Sequence, residues 1–274
     1  MAATDTTAPA PPEAGGAATA SRTGYSPLGR VVHYLGMPVF LALVLGGLYL
    51  WIQGVELDVI EARQLRRDVL TAQTIQHVRL TLYSTAIVLA LAIPLGIVAT
   101  RPGTRRIAPF VVGLGNAGQA IPSLGLLALI FFVARQTTLL PSTGTVPVVA
   151  ALVGYSFLPI LRNTMVGVDQ VDRSILEAGR GMGMSSWLVL RRIELPLAVP
   201  VILAGVRTAL VLNIGTATLA FLFGGGGLGL TIRQGFSLQR LPLLVTGAVL
   251  ASVLALFVDW LAGLVEERLT PRGL

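Results

Sequence analysis

The composition of this 274-residue chain excludes an ordinary soluble domain, since 54% of its residues are hydrophobic, only 12% are charged, and the mean hydropathy is +0.78. All 20 basic residues are Arg and the formal net charge is +7, but the arginines flank apolar runs, which is typical of an integral membrane protein rather than a nucleic-acid binder. The absence of Cys excludes a disulfide framework, a Cys-ligated metal site and a thiol nucleophile. We therefore expect an all-α polytopic membrane protein surrounded by lipid.

The beginning of the chain is predicted to contain a tail, one membrane span and a loop. Residues 1–30 are rich in Ala, Thr, Pro and Gly and cannot bury enough apolar surface to fold, which predicts a disordered cytoplasmic tail. The apolar run at residues 31–52 is long, starts late and lacks a small-residue cleavage site, which indicates a retained transmembrane helix rather than a signal peptide. Residues 53–76 are polar and nearly neutral in charge, which suits an external loop.

Three further spans are predicted at residues 77–100, 107–134 and 148–168. The first of these ends at the sequence TRPGTRR, where three arginines stand without an acid nearby, and this is the clearest cytoplasmic loop of the chain. The next is interrupted by Pro122, which predicts a broken helix. Residues 137–147 carry no charge and are predicted to form an outer loop.

A fifth span is predicted from Pro196 to about residue 223, and a sixth at residues 243–265. They are joined by the sequence GGGGLG and a polar connection, and residues 266–274 are predicted to form a cytoplasmic tail. Six crossings place both termini on the same side of the membrane. The arginine-rich loop makes that side cytoplasmic.

The polar stretch at residues 177–196, EAGRGMGMSSWLVLRRIELP, falls on the predicted cytoplasmic side. Asp172 before it and Ser185 within it are helix-capping residues, and Gly183 lies between them as a break. Pro196 stands where the next membrane helix begins, a position that costs no backbone hydrogen bond. The pattern predicts two short helices joined at Gly183, which form an exposed knob suited to a partner's groove. A loop folded against its own bundle is the alternative.

The spacing within this stretch resembles the EAA signature of the permease subunits of ATP-binding cassette importers. Glu177, Ala178 and Gly179 are followed after three residues by Gly183, and after nine more by IELP at residues 193–196. The family commonly has Ala where this chain has Gly179, so a small residue is retained.

The resemblance extends from about residue 76 to about residue 258 and covers IPSLGLLAL, LPILRNT, EAGRGMGMSSW, ELPLAVPVILAGVRTA and IGTATLAFLFGGGGLG. These segments are similar to the glycine betaine/carnitine/choline, or osmoprotectant, branch of such permeases. The resemblance implies the type I importer (MetI-like) fold, with a core of five helices in residues 76–265 and an extra transmembrane helix and external loop in residues 31–75.

The resemblance also implies an assembly in the bacterial plasma membrane. It contains a second permease, identical or paralogous, two cytosolic ATP-binding subunits and an external substrate-binding protein. ATP and Mg belong to the ATP-binding subunits, so this chain is expected to be a non-catalytic permease without cofactor or metal. The implied cargo is a small osmoprotectant such as glycine betaine, choline or carnitine. Another small solute such as an amino acid is the nearest alternative, and a membrane-embedded hydrolase is the alternative from another class.

On the family's pattern, the loop at residues 169–196 couples closure of the ATPases to alternating access of the permeases. Glycine and alanine allow close backbone approach, and charged side chains offer charge-assisted contacts. The end of the loop is expected to seat it on the fifth span. The residues with this implied role are Glu177, Ala178, Gly179, Arg180, Gly183, Leu195 and Pro196.

Polar residues within the spans are candidates for the translocation pathway. A broken helix frees backbone groups that can line a cavity, as expected near a transporter's substrate path, although a packing kink explains the same residues. For those in the fifth span, hydrogen bonding between helices is the simpler interpretation. The candidates are Gln119, Pro122, Ser123, Tyr155, Asn213, Thr216 and Thr218.

Other features have less specific interpretations. GGGGLG satisfies the dinucleotide-binding pattern, but it follows a membrane helix rather than a strand, so we reject that match. His33 and His77 are isolated and are expected at the membrane interface. Arg207 and Asp259 lie in the predicted cytoplasmic halves of their helices, where snorkelling or pairing is favoured over substrate binding.

Overall fold

The structure is a computed structural model that describes residues 27–137, 141 and 143–270, with side chains from residue 34 onward. Most of the predicted N-terminal tail lies outside the described residues, as do residues 138–140 and 142 of the predicted outer loop and residues 271–274. The chain divides into two compact units, Met1–Gly36 and Met37–Leu274. Every contact discussed below lies within the second unit.

The described residues are mainly helical and contain no strand. Short 3₁₀ segments lie at Arg105–Ile107 and Ala220–Phe223, and a π-helical segment lies at Leu190–Glu194. The α-helices are α1 (Pro27–Gln53), α2 (Val59–Gln64), α3 (Arg67–Thr100), α4 (Ala108–Ala120), α5 (Ser123–Gln136), α6 (Thr145–Asp169), α7 (Arg173–Gly181), α8 (Ser186–Val189), α9 (Leu195–Ala217), α10 (Gly229–Ser237) and α11 (Leu241–Leu269).

Five helical stretches of the described chain are long and apolar enough to cross a membrane: Tyr34–Gln53, α3, α6, the stretch Ser186–Ala217, and α11. The pair α4 and α5 makes a sixth when it is counted as one span, and it bends by 105° at its break. This matches the six apolar runs predicted from the sequence. The predicted break is confirmed at Pro122, whose missing N–H and fixed φ prevent α4 from continuing into α5.

Helix boundaries differ from the prediction at the N-terminal end of the second span. We predicted a loop up to residue 76, but α3 begins at Arg67 and α2 precedes it. The polar side chains of the early part of α3 have distant partners, because Gln73 accepts a hydrogen bond from Thr231 and Gln76 donates to the Gly225 carbonyl at 2.9 Å. Their polarity therefore reflects tertiary contacts and not a loop.

Three later elements differ from the prediction. The polar connection after GGGGLG contains α10, which packs closely on α11: a Cβ built on Gly235 would lie 2.2 Å from the Leu244 nitrogen. The second of the two short helices predicted in the polar stretch is not a separate element, because α8 continues through the π-helical segment into α9. Within that segment the Leu195 N–H donates to the Leu190 carbonyl five residues earlier, which absorbs one extra residue without ending the helix. The last span also runs further than residue 265, to Leu269.

Helix α6 lies at the centre of the bundle and packs against α3, α4, α5 and α9. Its buried side chains include Leu152, Ile160 and Leu161, none of which is exposed to solvent. The approach of α4 is close because a Cβ on Gly118 would lie only 2.5 Å from the Gly154 carbonyl oxygen. Helices in lipid gain little from hydrophobic burial and associate through such small-residue contacts.

The glycine loop, residues 224–228, is anchored to α3 by His77. The Leu228 N–H donates to His77 Nδ1 at 3.3 Å, and His77 Nε2 lies 2.9 Å from the Ile214 carbonyl oxygen. These two partners require a neutral ring that carries its proton on Nε2. His77 is completely buried, so its side chain contacts protein. Its position at the level of the membrane interface stays a prediction. The side chain of His33 lies outside the described residues.

Candidate functional site

The polar loop, residues 169–196, begins with a capped helix. The Asp172 carboxylate accepts a hydrogen bond from the Ser174 N–H at 2.8 Å, and this bond lowers the pKa of Asp172 below its ordinary value. Helix α7 then runs to Gly181, and the Met182 N–H closes its last turn on the Ala178 carbonyl. The predicted cap at Asp172 is confirmed.

Gly183 turns the chain between α7 and α8. Its φ is +85°, a left-handed conformation that L side chains rarely adopt, and its N–H donates to the Arg180 carbonyl at 2.9 Å. The Ser185 hydroxyl then accepts from the Leu188 N–H at 3.4 Å and caps α8. The predicted break at Gly183 and the predicted cap at Ser185 are therefore both present.

Gly179 faces the interior of the loop. It is buried, and a Cβ at this position would lie 2.8 Å from Ile193 Cδ1 and 3.6 Å from Met184 Sδ and from a Val189 methyl group. The small residue therefore lets α7 pack directly on the α8 region. Gly179 is therefore a predicted coupling residue that contacts other residues of this chain instead of facing solvent.

The opposite side of α7 and the turn is exposed and mixed in character. Glu177, Ala178, Arg180 and Gly183 are all exposed, and within the described residues the two charged side chains have no ion-pair partner. Leu195 is half-buried and Pro196 is exposed where α9 begins. Three large apolar side chains of the polar loop are also exposed: Ile175 is 46% exposed, Met182 73% and Trp187 67%.

These three apolar residues were not among the predicted coupling residues. Isolated exposed apolar side chains are ordinary, but Met and Trp are enriched at protein interfaces. Their signal in the sequence was an apolar side chain within a polar loop. That signal does not say which of the loop's apolar side chains point outward.

A cleft of about 320 Å³ lies between the polar loop and the connection that follows α3. Its walls carry charges of both signs, and one ion pair in it has a buried carboxylate. The charged residues that line it are Arg101, Arg105, Asp169, Arg173, Glu177, Arg180 and Glu194.

The pair with the buried carboxylate joins Arg101 and Glu194. Arg101 Nη1 donates to Glu194 Oε1 at 3.0 Å and Nη2 donates to Oε2. The Glu194 side chain is 3% exposed and the Arg101 side chain 32%. The neighbouring pair of Arg105 and Asp169 is open, with an N–O distance of 3.3 Å and side chains 63% and 42% exposed. Sequence reasoning missed both pairs because their members are 93 and 64 residues apart.

The predicted pathway residues fall into two groups. Around the break between α4 and α5, Gln119 donates to the Tyr155 carbonyl at 3.2 Å, while Pro122 is exposed and Ser123 half-buried. Gln119 lies on α4, Ser123 on α5 and Tyr155 on α6, and Pro122 lies in the break itself.

The pathway residues of α9 lie elsewhere and mostly within helix contacts. Asn213 is completely buried and donates to Thr85 Oγ1 of α3 at 3.1 Å. Thr216 is 8% exposed, and the Thr218 hydroxyl donates to the Gly215 carbonyl of its own helix at 2.6 Å. For Asn213, the simpler interpretation of a bond between helices is confirmed.

Two charged residues inside predicted spans pair with each other. Arg207 of α9 donates through Nε and Nη2 to both carboxylate oxygens of Asp259 on α11, with an Nη2–Oδ2 distance of 2.6 Å. Glu266 lies 3.8 Å from Arg207 Nη1. Pairing, one of the two predicted explanations for these charges, is confirmed.

Comparisons with known proteins point to one family. The family model described as "Binding-protein-dependent transport system inner membrane component" matches residues 92–271. The chain is 41% identical over 202 residues to the glycine betaine/carnitine/choline transport system permease protein OpuCB of Bacillus subtilis, covering 74% of this chain and 89% of the relative. It is 39% identical to the choline transport system permease protein OpuBB of the same species, covering 79% and 95%. It is 37% identical to the osmoprotectant import permease protein OsmY of Salmonella typhimurium, covering 86% and 95%.

Solved structures are similar in fold. An inward-facing structure of the MetNI methionine ABC transporter matches with a TM-score of 0.64 at 21% identity, covering 74% of this chain and 96% of the other. An amino acid ABC transporter structure matches with a TM-score of 0.63 at 18% identity, covering 78% and 100%. At these identities the similarity concerns the fold alone.

Proposed function

Because the chain belongs to the family of binding-protein-dependent transport system inner membrane components and has the fold of type I ABC importer permeases, we propose that it is the permease subunit of an ATP-driven importer of small osmoprotectants. Glycine betaine, choline and carnitine are the proposed cargoes. The observation that carries this proposal is an identity of about 40% to permeases named for these solutes, over nearly their whole length. An amino-acid cargo has no comparable support, since the methionine and amino-acid transporters are similar only in fold.

The proposed assembly contains a second permease, two cytosolic ATP-binding subunits and an external substrate-binding protein. The family's description as binding-protein-dependent supports the last of these. ATP and Mg are assigned to the ATP-binding subunits, because the sequence of this chain contains no Lys and hence no P-loop Lys. Transport energy therefore comes from the partner subunits, and this chain provides the path through the membrane.

The proposed orientation places both termini in the cytoplasm of a bacterial plasma membrane. It is supported by the arginines at residues 101–106, which stand in a short connection between two spans without an acid. In this orientation residues 1–30 and 266–274 are cytoplasmic, residues 31–75 supply an extra span and an outer loop, and residues 76–265 form the permease domain. The matched region, residues 92–271, supports this permease domain.

The part of the polar loop formed by α7, the turn at Gly183 and α8 is the proposed docking site for an ATP-binding subunit. Its exposed surface combines Glu177 and Arg180 with the apolar side chains of Met182 and Trp187. Charged residues around an exposed aromatic anchor are the combination on which tight protein contacts depend. Gly179 and Gly183 act by shaping this surface, while Leu195 and Pro196 join it to α9.

The proposed translocation pathway passes the break between α4 and α5. An end of a broken helix presents backbone groups that neighbouring turns do not satisfy, and transporters place such groups along their substrate paths. Gln119, Pro122, Ser123 and Tyr155 are the candidates at this break. Asn213 and Thr218 contribute through the position of α9, because their side chains donate hydrogen bonds within the protein, and Thr216 contributes in the same way because its side chain is buried.

Reconstitution tests this proposal directly. The permease is assembled with its cognate ATP-binding subunits in proteoliposomes, and the binding protein is added outside with radiolabelled glycine betaine, choline or carnitine. We expect uptake that requires both ATP and the binding protein. Uptake of amino acids with none of these quaternary amines would overturn the proposed cargo, and uptake without ATP would overturn the proposed class of transporter.

A further inference from the structure

We propose that Arg101 and Glu194 form an ion-pair lock that fastens the polar loop to α3, so that movement of the loop is passed to α3 as well as to α9. Both are positioning residues, since they act through the helices that they join. This inference rests on the proposed function of the polar loop in coupling.

The lock lies at a junction of three elements. Arg101 is the first residue after α3, and Glu194 is the last residue of the π-helical segment before α9. The pair therefore ties the end of one span to the beginning of another at the point where the polar loop returns to the bundle. Without the pair, the described contacts of the loop are mainly with its own helices and α9.

The arginine is held in place by its own backbone. The Arg101 N–H donates to the Val98 carbonyl at 3.2 Å, and the Thr104 N–H donates to the Arg101 carbonyl at 3.1 Å. The Thr104 hydroxyl also donates to the Val98 carbonyl. These bonds make the start of the connection a set of tight turns, so Arg101 moves together with the end of α3.

The ion pair fixes the relative orientation of the two elements more than it stabilises the fold. Two parallel hydrogen bonds between a guanidinium and a carboxylate fix both the distance and the relative orientation of the two groups. A buried ion pair contributes little net stability, since the loss of hydration offsets most of the attraction. A single apolar contact at the same place would hold the elements together but would allow them to slide. The pair therefore resists shear between the loop and α3.

The second ion pair on the same side serves as a natural comparison. Arg105 and Asp169 also join the connection after α3 to the polar loop, but both side chains are largely exposed. Exposed pairs of this kind are worth little and hold no fixed geometry. We therefore assign the transmission of movement to the buried pair alone.

The test separates stability from transmission with four variants: Glu194→Gln, Arg101→Met, the double variant R101M/E194M, and the control R105A/D169A. For each purified complex we measure the melting temperature, the amount of ATP-binding subunit that copurifies, and the uptake of glycine betaine per ATP hydrolysed. Arg101→Met leaves the buried Glu194 carboxylate uncompensated, so we expect a lower melting temperature and lower uptake per ATP. Glu194→Gln leaves the half-buried Arg101 without its charged partner, so we expect a smaller loss of melting temperature and lower uptake per ATP.

The double variant R101M/E194M decides whether the pair transmits movement or only stabilises the fold. We expect it to recover the melting temperature and to retain the ATP-binding subunits, while uptake per ATP stays roughly 2- to 30-fold below wild type. The control variant should match wild type in all three measurements. Uptake per ATP that returns to the wild-type value in R101M/E194M would overturn the lock, because the pair would then be a structural contact only.

Two further results distinguish the lock from the proposals on which it rests. Loss of the ATP-binding subunits from R101M/E194M would overturn the lock, because the pair would then shape the docking surface. A wild-type complex that takes up no osmoprotectant at all would overturn the proposed function itself. If the wild-type complex takes up osmoprotectant, and if Glu194→Gln and R101M/E194M both keep the wild-type uptake per ATP, the lock is overturned and the proposed function stands.

Discussion

At the scale of single residues, Gly183 is required by its backbone and Gly181 is not. Gly183 has a φ of +85°, whereas Gly181 is an exposed helical residue with open space around it. An alanine at residue 183 costs about 1–2 kcal/mol in a left-handed conformation, which is enough to redirect the turn between α7 and α8.

We therefore expect Gly183→Ala to lower uptake per ATP, and Gly183→Arg to insert normally and abolish coupled transport. Gly181→Ala is the matched control, and it should leave coupling unchanged and raise stability by about 0.4–1 kcal/mol. Membrane insertion, uptake and ATP hydrolysis are measured for each. Transport-coupled ATPase activity of Gly183→Arg at the wild-type level would contradict the role of this turn.

We predict a different effect for Gly179, because a larger side chain at this position is limited by contact with a neighbouring side chain and not by the backbone conformation. The nearest atom to an added Cβ is Ile193 Cδ1, at the flexible end of a side chain. Gly179→Ala should therefore fold and transport with a small loss of stability, and Ile193→Val, which removes that methyl group, should relieve it. Gly179→Leu should lower the melting temperature and the uptake sharply. If Ile193→Val did not improve Gly179→Ala, the contact with Ile193 would not be the limiting one.

His77 is a buried polar residue that provides hydrogen-bond partners for two backbone groups. His77→Leu leaves the Ile214 carbonyl and the Leu228 N–H without partners, and each costs about 1–3 kcal/mol when buried and unsatisfied. The free energy of unfolding in mixed detergents should fall by that sum. Gln119→Leu is the comparison, since Gln119 is half-buried and makes one bond of 3.2 Å, and its loss should cost less. Equal losses for the two variants would contradict the anchoring of the glycine loop by His77.

At the scale of secondary-structure elements, α8 presents Trp187 outward from a helix whose other side packs inward. Val189 on the same helix is completely buried, whereas Trp187 is 67% exposed. An exposed aromatic residue adds little to the stability of the isolated chain but is a typical anchor in a protein interface.

We expect Trp187→Ala to leave the melting temperature of the isolated permease unchanged and to weaken binding of the ATP-binding subunit by about 2 kcal/mol, or roughly 30-fold in Kd. Phe132→Ala is the control, because Phe132 is 60% exposed but lies on α5. Binding is measured by titrating the ATP-binding subunit onto permease in nanodiscs. A loss in Phe132→Ala as large as in Trp187→Ala would indicate a general effect on the bundle.

Some of the helices could be predicted from the sequence and others could not. Hydropathy located the spans, and Pro122 located the break in the third, because both signals are local in the chain. The start of α3 was missed because Gln73 and Gln76 looked like loop residues until their partners, about 150 residues away, were known. The continuity of α8 with α9 was missed because a π-helical turn has no sequence pattern as clear as the proline that follows it.

The polar loop could also be predicted only in part from the sequence. The spacing from Glu177 to Pro196 located the polar loop, and Asp172, Gly183 and Ser185 predicted its internal turns. Which side of α7 faces the protein depends on packing against Ile193, and the pair of Arg101 with Glu194 depends on how the spans are arranged. Neither is a property of a local pattern.

At the scale of the whole molecule, the absence of Cys makes the predicted orientation directly testable. Single substitutions Arg63→Cys, Gly103→Cys and Gly181→Cys each place one thiol at an exposed position. A membrane-impermeant maleimide should label Arg63→Cys in intact spheroplasts, and should label the other two only after permeabilisation. Labelling of Gly103→Cys from outside would invert the orientation, and with it the assignment of the polar loop to the cytoplasm.

The continuous helix from Ser186 to Ala217 has a mechanical consequence. Its 32 residues make a rod about 48 Å long, while the hydrocarbon core of a bilayer is about 30 Å thick. With the π-helical segment as a pivot, the arm on the Trp187 side is about 9 Å long and the arm toward Ala217 about 38 Å. A rotation about that pivot therefore moves the far end of the rod about four times as far as the near end, so a displacement of 1–2 Å imposed on α8 becomes one of several ångströms at the opposite end of the membrane.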